Sequence, residues 1–396
     1  MSSPSETTKP VTVLAETDYR SRLVAFGIKQ EDRRAHMYII GKTGTGKSTL
    51  IARMVIQDIK AGRGVALLDP HGDLINQVLL QVPGERQGDI VYFDAPDPKQ
   101  SLSFNPLSNV PQSKRALAAS GLVGVFRKMW GDSWGPRTEH ILRNALLLLL
   151  DQPEATLSDV LRLLIDNTYR TGALRSVRND QVREFWAKEY EGYPARFRAE
   201  AIAPIQNKVG AFLADPTLHR ILTQPKSSFN LRQIMDEGKI FLVNLAKGKL
   251  GEDTAQLLGS LLVSSIALAG LRRADTPEER RRDFYLYLDE FHTFTTLSLA
   301  GMLSELRKYR LNLILAHQYL SQLDMQVRDA ILGNVGTIIV FRVGLTDAEL
   351  LESEFFPDLR ATDLLNLPNH HIYLKLMIDG AVSRPFSART LPADAA

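Results

Sequence analysis

The octapeptide GKTGTGKS, residues 41–48, constrains the fold of this chain more than any other segment. It fits the pattern G-x-x-x-x-G-K-[ST], it follows the apolar run MYII at 37–40, and a predicted helix to about residue 60 comes after it. A glycine turn between a strand and a helix presents successive backbone N–H groups and the positive end of the helix, which together attract anionic oxygen atoms. The segment therefore predicts a site for nucleotide phosphates.

The side chains of this loop have distinct expected tasks. Lys47 would reach the β- and γ-phosphates of ATP as part of the catalytic set, and the Ser48 hydroxyl would hold Mg²⁺. We therefore expect ATP and Mg²⁺ as cofactors. The residues expected to contact the nucleotide are Gly41, Lys42, Thr43, Gly44, Thr45, Gly46, Lys47, Ser48 and Thr49.

The composition excludes several other kinds of protein. A chain of 396 residues with 44% apolar and 23% charged residues is typical of a globular protein with one large or two ordinary domains. The chain has no cysteine, which excludes disulfides, thiolate metal sites and a cysteine nucleophile. The polar start MSSPSETTKP lacks a signal-peptide pattern, and the apolar stretches 145–150 and 257–271 are interpreted as core helices. We expect a cytoplasmic protein without a direct membrane span. A partner could recruit it to the inner membrane.

Apolar strands alternate with helical stretches over most of the chain. This rhythm predicts an α/β fold with a mainly parallel sheet that is covered on both faces. Residues 1–17 are expected to form a disordered arm, and residues 371–378 and 382–387 a terminal hairpin. The predicted strands are 65–68, 90–93, 240–244, 284–288, 311–316 and 337–343.

The rhythm changes between residues 111 and 235, where apolar residues recur at helical spacing. We interpret this stretch as an inserted all-helical subdomain, so that residues 18–110 and 236–396 form the two parts of the α/β domain. The insert has 18 Lys and Arg against 12 Asp and Glu. Such an excess can face nucleic acid, although it is also typical of an ordinary solvated helical surface.

Two acids follow the apolar strand FYLYL at 284–288. In an open α/β sheet, ligands bind at the carboxyl ends of the strands, so Asp289 and Glu290 are expected near the phosphate loop. Asp289 would serve the Mg²⁺ ion, and Glu290 would accept a proton from an attacking water. The adjacent glutamate favours hydrolysis over transfer to another substrate.

The strand at 311–316 ends in His317 and Gln318. The Gln318 amide can donate to the γ-phosphate and accept from the attacking water. For His317, a structural role fits the sequence as well as a role at the site does. Arg307 stands in the charged run SELRKYR and can stabilise transition-state charge from a neighbouring subunit, although such a run is also typical of a helix end in solvent.

This ordered series resembles the HerA–FtsK superfamily of P-loop motors, and within it the conjugative coupling proteins and their TraG/TraD-like type IV secretion relatives. The resemblance extends from about residue 23 to residue 387 and is most specific in its later elements. The segments that carry it are GKTGTGKST, LLDPHGD, FNPL, WGPRTEHILRNALL, LYLDEF, ELRKYRLNLILAHQYLSQL and GNVGTIIVFRVG.

The resemblance implies a RecA-like P-loop fold with an inserted all-helical subdomain, assembled as a homo-oligomeric ring, most often a hexamer, with DNA in its pore. It places Lys47, Ser48, Asp289, Glu290 and Gln318 in the family's catalytic motifs. It also implies that Arg307 reaches into the next subunit, with Arg342 as a weaker second candidate. Asp69 would either contact the Mg²⁺-bound water or shape its turn.

The sequence departs from this family in two ways. It shows neither the membrane-spanning helices of coupling proteins nor, in the 40 residues before Gly41, room for the small β-barrel of HerA enzymes. We interpret the chain as a bare motor, with a relaxase, a secretion channel or a nuclease as candidate partner. It is consistent with a soluble coupling-like protein, a translocase of a mobile element or of phage defence, or a protein trimmed of its anchor.

The leading functional hypothesis is an ATP-driven, DNA-translocating ring that moves DNA in conjugation and type IV secretion or in a mobile-element or defence system. The alternative is an ATPase that energises protein export or serves as an ATP-dependent clamp for a nuclease. A small-molecule P-loop kinase is disfavoured by the acid pair, Gln318 and the candidate finger Arg307.

Overall fold

An eleven-stranded sheet forms the centre of the fold in the computed structural model, which describes residues 11–17, 23–131 and 134–392. Its strand order is β2-β1-β13-β10-β9-β3-β8-β7-β4-β6-β5, and β11 and β12 pair separately. The strands are β1 Val11–Glu16, β2 Ala25–Lys29, β3 Met37–Ile40, β4 Gly64–Asp69, β5 Ile90–Asp94, β6 Ile240–Asn244, β7 Phe284–Leu288, β8 Leu311–His317, β9 Thr337–Val340, β10 His371–Lys375, β11 Met377–Ile378, β12 Ala381–Val382 and β13 Phe386–Thr390.

Helices connect most of the parallel strands and cover the sheet. Short 3₁₀ turns occur at Phe291–Thr293 and Leu320–Gln322, and α8 continues as a π-helical turn over Phe185–Tyr190. The helices are α1 Gln30–Arg33, α2 Lys47–Lys60, α3 Asp73–Leu79, α4 Arg115–Trp130, α5 Pro136–Leu149, α6 Asp159–Ile165, α7 Asn167–Leu174, α8 Asp180–Glu184, α9 Ala195–Ala214, α10 Pro216–Leu222, α11 Leu231–Glu237, α12 Lys247–Leu250, α13 Glu252–Leu271, α14 Leu297–Lys308, α15 Met325–Leu332, α16 Leu345–Phe355 and α17 Ala361–Leu365.

The seven strands from β9 to β5 are parallel to one another, as the apolar rhythm predicts. Tyr38 pairs in register with Leu315 of β8, and Leu288 of β7 pairs with the same residue. Because neighbouring parallel strands run in the same direction, their carboxyl ends lie along one side of the sheet, its carboxyl edge. The segments that follow β3, β8 and β7 therefore lie side by side there.

Four antiparallel strands extend the sheet on the β9 side. β10 and β13 form the predicted terminal hairpin, and β13 pairs with β1. The disordered arm predicted for residues 1–17 is wrong for Val11–Glu16, which form β1 between β13 and β2. The strand is stabilised by burial, since Leu14 and Ala15 are fully buried. Residues 1–10 of the predicted arm lie outside the described residues.

The two faces of the sheet bury separate apolar cores. Tyr38 and Ile40 point into one, Met37 and Ile39 into the other, as the alternation of a strand requires. Every element described between β5 and β6 is helical, and its apolar residues join the first of these cores. The helical segment 111–235 therefore shares a core with the sheet, and its boundaries as a subdomain remain a prediction.

A buried ion network connects the helix of the phosphate loop to the acid-bearing strand. Asp58 of α2 accepts hydrogen bonds from Arg33 at 2.6 and 2.8 Å and from Tyr287 of β7 at 2.5 Å. Arg63 donates to the same carboxylate at 2.8 Å. Burial opposes the charge of Asp58, but the two guanidinium groups prevail and hold its pKa below the usual value. The network fixes α2 against β7.

Helix α13 and the turn after it, residues 252–275, are long and apolar enough to cross a membrane, but 78% of its apolar 18-residue window is buried inside the protein. Gly121 of α4 packs against this helix so closely that a Cβ there would lie 2.6 Å from Ser264 Oγ. Such burial is typical of a core helix, as the sequence predicts.

Candidate nucleotide site

The phosphate loop joins the buried strand β3 to helix α2. Gly44 and Gly46 have φ angles of 76° and 118°, a region that favours glycine. A Cβ on Gly46 would also lie 2.8 Å from His370 Nδ1. His370 in turn donates its backbone N–H to Thr45 O at 2.8 Å, so the segment before β10 supports the loop from outside. Ser48 and Thr49 occupy the first turn of α2, and Ser48 is exposed.

Lys47 is folded back onto its own loop. Its Nζ donates to Gly41 O at 2.5 Å and to Lys42 O at 3.1 Å, and the side chain is buried. Burial lowers the pKa of Lys47, and the negative charges of Glu290 and Asp289 oppose that shift. The ammonium group thus lies between the loop carbonyls and the acid pair.

The acid pair sits at the carboxyl end of β7, next to β4. Asp289 donates its N–H to Leu68 O at 3.3 Å, and Glu290 then turns away with a φ of 48°. Both carboxylates are about 5% exposed. Burial raises the pKa of Asp289 to about 7, helped by the negative charges of Glu290 and Asp69 and opposed by Lys47.

This crowding fits a divalent cation. Three carboxylates near one ammonium group leave excess negative charge in a poorly hydrated place, and hard cations prefer such oxygen ligands. Asp289 and the exposed Ser48 hydroxyl are the side chains that would hold Mg²⁺.

Gln318 links the ends of three parallel strands. Thr43 Oγ1 of the phosphate loop donates to Gln318 Oε1 at 2.9 Å, and Gln318 Nε2 donates to Glu290 Oε1 at 2.7 Å. The structure therefore brings together the loop, the amide and the glutamate that sequence reasoning expected at one site. The amide touches the loop with one end and the glutamate with the other.

His317 and Asp69, whose roles the sequence leaves open, are structural in this geometry. His317 is fully buried with Nε2 2.6 Å from Tyr38 Oη, and burial lowers its pKa to about 3, so the ring is neutral. Asp69 accepts the backbone N–H groups of His71, Leu74 and Ile75 at 2.8, 2.9 and 3.2 Å. These bonds shape the turn and cap α3.

The two candidate arginines lie in different places. Arg307 is exposed near the end of α14, just before β8 begins, so it lies at the opposite edge of the sheet from the phosphate loop. Arg342 lies beside the loop, since its backbone oxygen accepts from Lys42 N at 2.8 Å. Its guanidinium group is bonded to Leu367 O and Asn369 Oδ1 at 3.0 and 2.8 Å. Within one subunit, Arg307 cannot reach the site.

Sequence reasoning missed His292, which lies beside Glu290, and Gln322, which lies beside His292. His292 Nδ1 lies 3.4 Å from Glu290 Oε2, and Gln322 Nε2 lies 3.2 Å from His292 Nε2. Burial lowers the pKa of His292, and the nearby Glu290 charge opposes this. Their positions within the LDEFH and LSQL segments are the only signal in the sequence, because neither belongs to a motif with known chemistry.

A phosphate loop on an open parallel sheet, with an acid pair and a polar amide at the neighbouring strand ends, defines a P-loop nucleotide-binding protein. Residues 22–355 match the family described as the type IV secretion-system coupling protein DNA-binding domain. The chain belongs to this family, and the resemblance to conjugative coupling proteins is confirmed. No curated protein sequence matches the chain.

Solved structures show the same fold. The bacterial conjugative coupling protein TrwBdeltaN70 is 17% identical, with a TM-score of 0.68, over 98% of this chain and 89% of that one. The plasmid coupling protein TrwB in complex with ADP and Mg²⁺ is 16% identical, with a TM-score of 0.67, over 92% and 87%. VirB4 of Thermoanaerobacter pseudethanolicus is 15% identical, with a TM-score of 0.64, over 96% of both chains. The predicted RecA-like P-loop fold is confirmed.

Replacing Asp289 by Asn should stabilise the nucleotide-free protein more at pH 8 than at pH 5. Because the pKa of Asp289 rises from 3.8 to about 7 on folding, the folded state binds the extra proton and loses stability as the pH rises through that range. We expect the gain in the free energy of unfolding from Asp289→Asn to be larger at pH 8 by about 2.6 kcal/mol. Urea unfolding at both pH values measures it.

The exposed Asp180→Asn variant is the control and should change the free energy of unfolding by less than about 0.5 kcal/mol at either pH. An equal gain from Asp289→Asn at both pH values would contradict the interpretation.

Proposed function

We propose that this protein is an ATPase that forms a homo-oligomeric ring and translocates DNA. The observation that carries the proposal is the Gln318 amide, which is bonded both to Thr43 of the phosphate loop and to Glu290. An amide in this position senses the phosphates on one side and orients a base on the other. That coupling is what a motor needs to link the state of its nucleotide to motion.

ATP and Mg²⁺ are the proposed ligands. TrwB structures hold ADP with Mg²⁺ and a non-hydrolysable ATP analogue, which supports the same ligands here. The loop carbonyls that now accept from Lys47 lie beside the predicted phosphate position, so Lys47 can exchange them for phosphate oxygens with a small movement. When bound, Mg²⁺ would neutralise phosphate charge, and Asp289 and Ser48 are its proposed ligands.

Hydrolysis requires a group that accepts a proton from water. Glu290 is buried and accepts a hydrogen bond from Gln318 on Oε1. Its Oε2 lies 3.4 Å from His292 Nδ1 and has a second lone pair that can accept from water. Gln318 can bond the same water and hold it in line with the γ-phosphate. We assign proton acceptance to Glu290, orientation to Gln318 and phosphate binding to Lys47.

Glu290→Gln should keep nucleotide binding and lose hydrolysis. The amide preserves shape and can still accept from Gln318, but it cannot take a proton, so turnover should fall at least about 100-fold. Lys47→Ala should instead abolish tight nucleotide binding, because it removes the charge that faces the phosphates. Binding by fluorescence of a labelled nucleotide and phosphate release by the purified protein separate the two effects.

The exposed Glu154→Gln variant controls for the loss of a carboxylate elsewhere and should hydrolyse ATP at the parental rate. Parental turnover by Glu290→Gln would remove Glu290 from its proposed role.

Membership in a family described by DNA binding supports DNA as the track. The stretch 170–188 of the helical segment carries five basic residues that could contact DNA. Arg170 is excluded, since it is buried with Nη2 2.5 Å from Glu191 Oε1. Arg183 and Lys188 pair with acids of their own helical stretch, at 2.5 and 2.6 Å. Arg175 and Arg178 remain exposed candidates for phosphate contacts.

ATP turnover should rise with long duplex or single-stranded DNA and much less with very short DNA, because only a long track supports repeated steps. Binding should weaken steeply with salt, with a log–log slope near −0.9 per phosphate contact on duplex DNA. Replacing Arg175 and Arg178 together by Ala should make the salt dependence shallower, reducing the magnitude of the slope by about 1–2. Exposed Arg280, outside the helical segment, provides the control Arg280→Ala. A flat salt response excludes DNA as the track, and stimulation only by a protein partner favours export or a clamp.

The position of Arg307 supports a head-to-tail ring. It is exposed at the sheet edge opposite the phosphate loop, so a neighbour that docks its phosphate-loop edge there receives this guanidinium group. A hexamer is the proposed stoichiometry. The cytoplasm is the proposed location, with a relaxase, secretion-channel or nuclease as partner.

Arg307→Ala should leave nucleotide binding intact while turnover falls about 10³-fold, since an arginine acting in trans stabilises the transition state. Mixing Arg307→Ala with Lys47→Ala subunits should partly restore turnover, because some interfaces then pair an intact loop with an intact arginine. The neighbouring Lys308→Ala is the control and should have little effect. A mixture with no more activity than its components would exclude action across the interface.

A further inference from the structure

Lys128 of α4 reaches out of the helical segment to the turn that follows Glu290. Its Nζ donates to the backbone oxygens of His292, Thr293 and Thr295 at 2.5, 2.8 and 2.8 Å. An ammonium group has three N–H donors, and these three oxygens use all of them. All three N–H groups of Lys128 therefore donate to the backbone of one short turn.

Lys128 is the hydrogen-bond donor for three backbone carbonyls of this turn. Its own N–H groups are used internally, since Thr293 N donates to Glu290 O at 2.9 Å and Thr295 N to Phe291 O at 3.0 Å. The backbone oxygens of His292, Thr293 and Thr295 accept from Lys128, and all three bonds are partly buried. Partly buried carbonyls that lose their donor cost free energy, so removal of the ammonium would loosen the turn.

The same turn carries the groups that hold the proposed base. Glu290 begins it in a left-handed conformation, with a φ of 48°. The His292 carbonyl is bonded by Lys128, while the His292 ring lies 3.4 Å from Glu290 Oε2. A shift of the turn would therefore move the backbone of Glu290 and also the His292 ring beside its carboxylate.

The helix that delivers Lys128 is itself firmly placed. Gly121, two turns earlier, touches α13, and a Cβ on Gly124 would lie 3.5 Å from Ser298 Cβ at the start of α14. Phe294 of the turn packs on the same α13, where a Cβ on Gly259 would lie 2.2 Å from its ring. Helix α4 and the turn thus share one support, and Lys128 joins them directly.

We propose that Lys128 is a positioning residue for ATP hydrolysis, through which the helical segment sets the orientation of Glu290. This inference rests on the proposed function, because it assumes that Glu290 accepts the proton from water. Lys128 bonds the backbone of the turn, and within the described part of the chain none of its hydrogen bonds involves the phosphate loop. Its loss should therefore change turnover and leave nucleotide binding alone.

The experiment compares Lys128→Met, which keeps the length of the stem and removes the donors, with Lys128→Arg, which restores charge and several N–H groups. We expect kcat to fall about 10- to 100-fold in Lys128→Met, with KM and nucleotide affinity within about twofold of the parental values, and kcat to recover partly in Lys128→Arg. Hydrogen exchange should accelerate over residues 290–296 and stay unchanged over α2. The exposed Lys226→Met variant of the same segment is the control.

Parental kcat in Lys128→Met overturns the proposal, as does an equal loss of kcat in Lys128→Met and Lys128→Arg. Global unfolding of Lys128→Met with loss of nucleotide binding shows that the lysine supports the fold rather than the base, and also overturns it. Glu290→Gln in the same assay separates the two ideas. If Glu290→Gln is inactive while Lys128→Met is fully active, only the positioning role fails, and if Glu290→Gln is active, the proposed function fails first.

Discussion

The parallel pairing of β3, β8, β7 and β4 is the constraint on which the rest of this structure depends. Because hydrogen-bonded parallel strands end at one edge, Lys47, Gln318, Glu290 and Asp69 are brought within reach although they are far apart in sequence. The buried Arg33–Asp58–Tyr287 network then fixes the helix of the phosphate loop against the acid-bearing strand. The charges are placed by backbone geometry first and refined by side-chain bonds.

That placement concentrates like charges in a poorly hydrated region. The Asp69 carboxylate accepts three backbone N–H groups and so shapes the turn after β4. Its negative charge also raises the pKa of Asp289. Lys47 offsets only part of the repulsion. A cation and a polyphosphate are the ligands whose charges match this pattern, which is why the same few residues serve both the folding of the sheet edge and its proposed chemistry.

The helical segment is connected to this edge rather than appended to it. Its apolar residues join the core on one face of the sheet, and Lys128 bonds the turn after Glu290. In the proposed motor, the helical segment would have to affect the group that accepts the proton, and a lysine that donates to three carbonyls of the turn after Glu290 is a direct physical route. In the proposed ring, the exposed Arg307 at the other end of these strands would face the neighbouring subunit.

The sequence by itself determined the phosphate loop, the alternation of strands and helices, and the acids at the end of β7, because each of these is written in neighbouring residues. The structure alone decided that Val11–Glu16 form a strand, that Arg170 is buried, and that Thr43, Gln318 and Glu290 are bonded in series. It alone also joined Lys128 to a turn 164 residues away. Local propensity and spacing cannot report such contacts, since they arise only when sheet order and helix packing bring distant segments together.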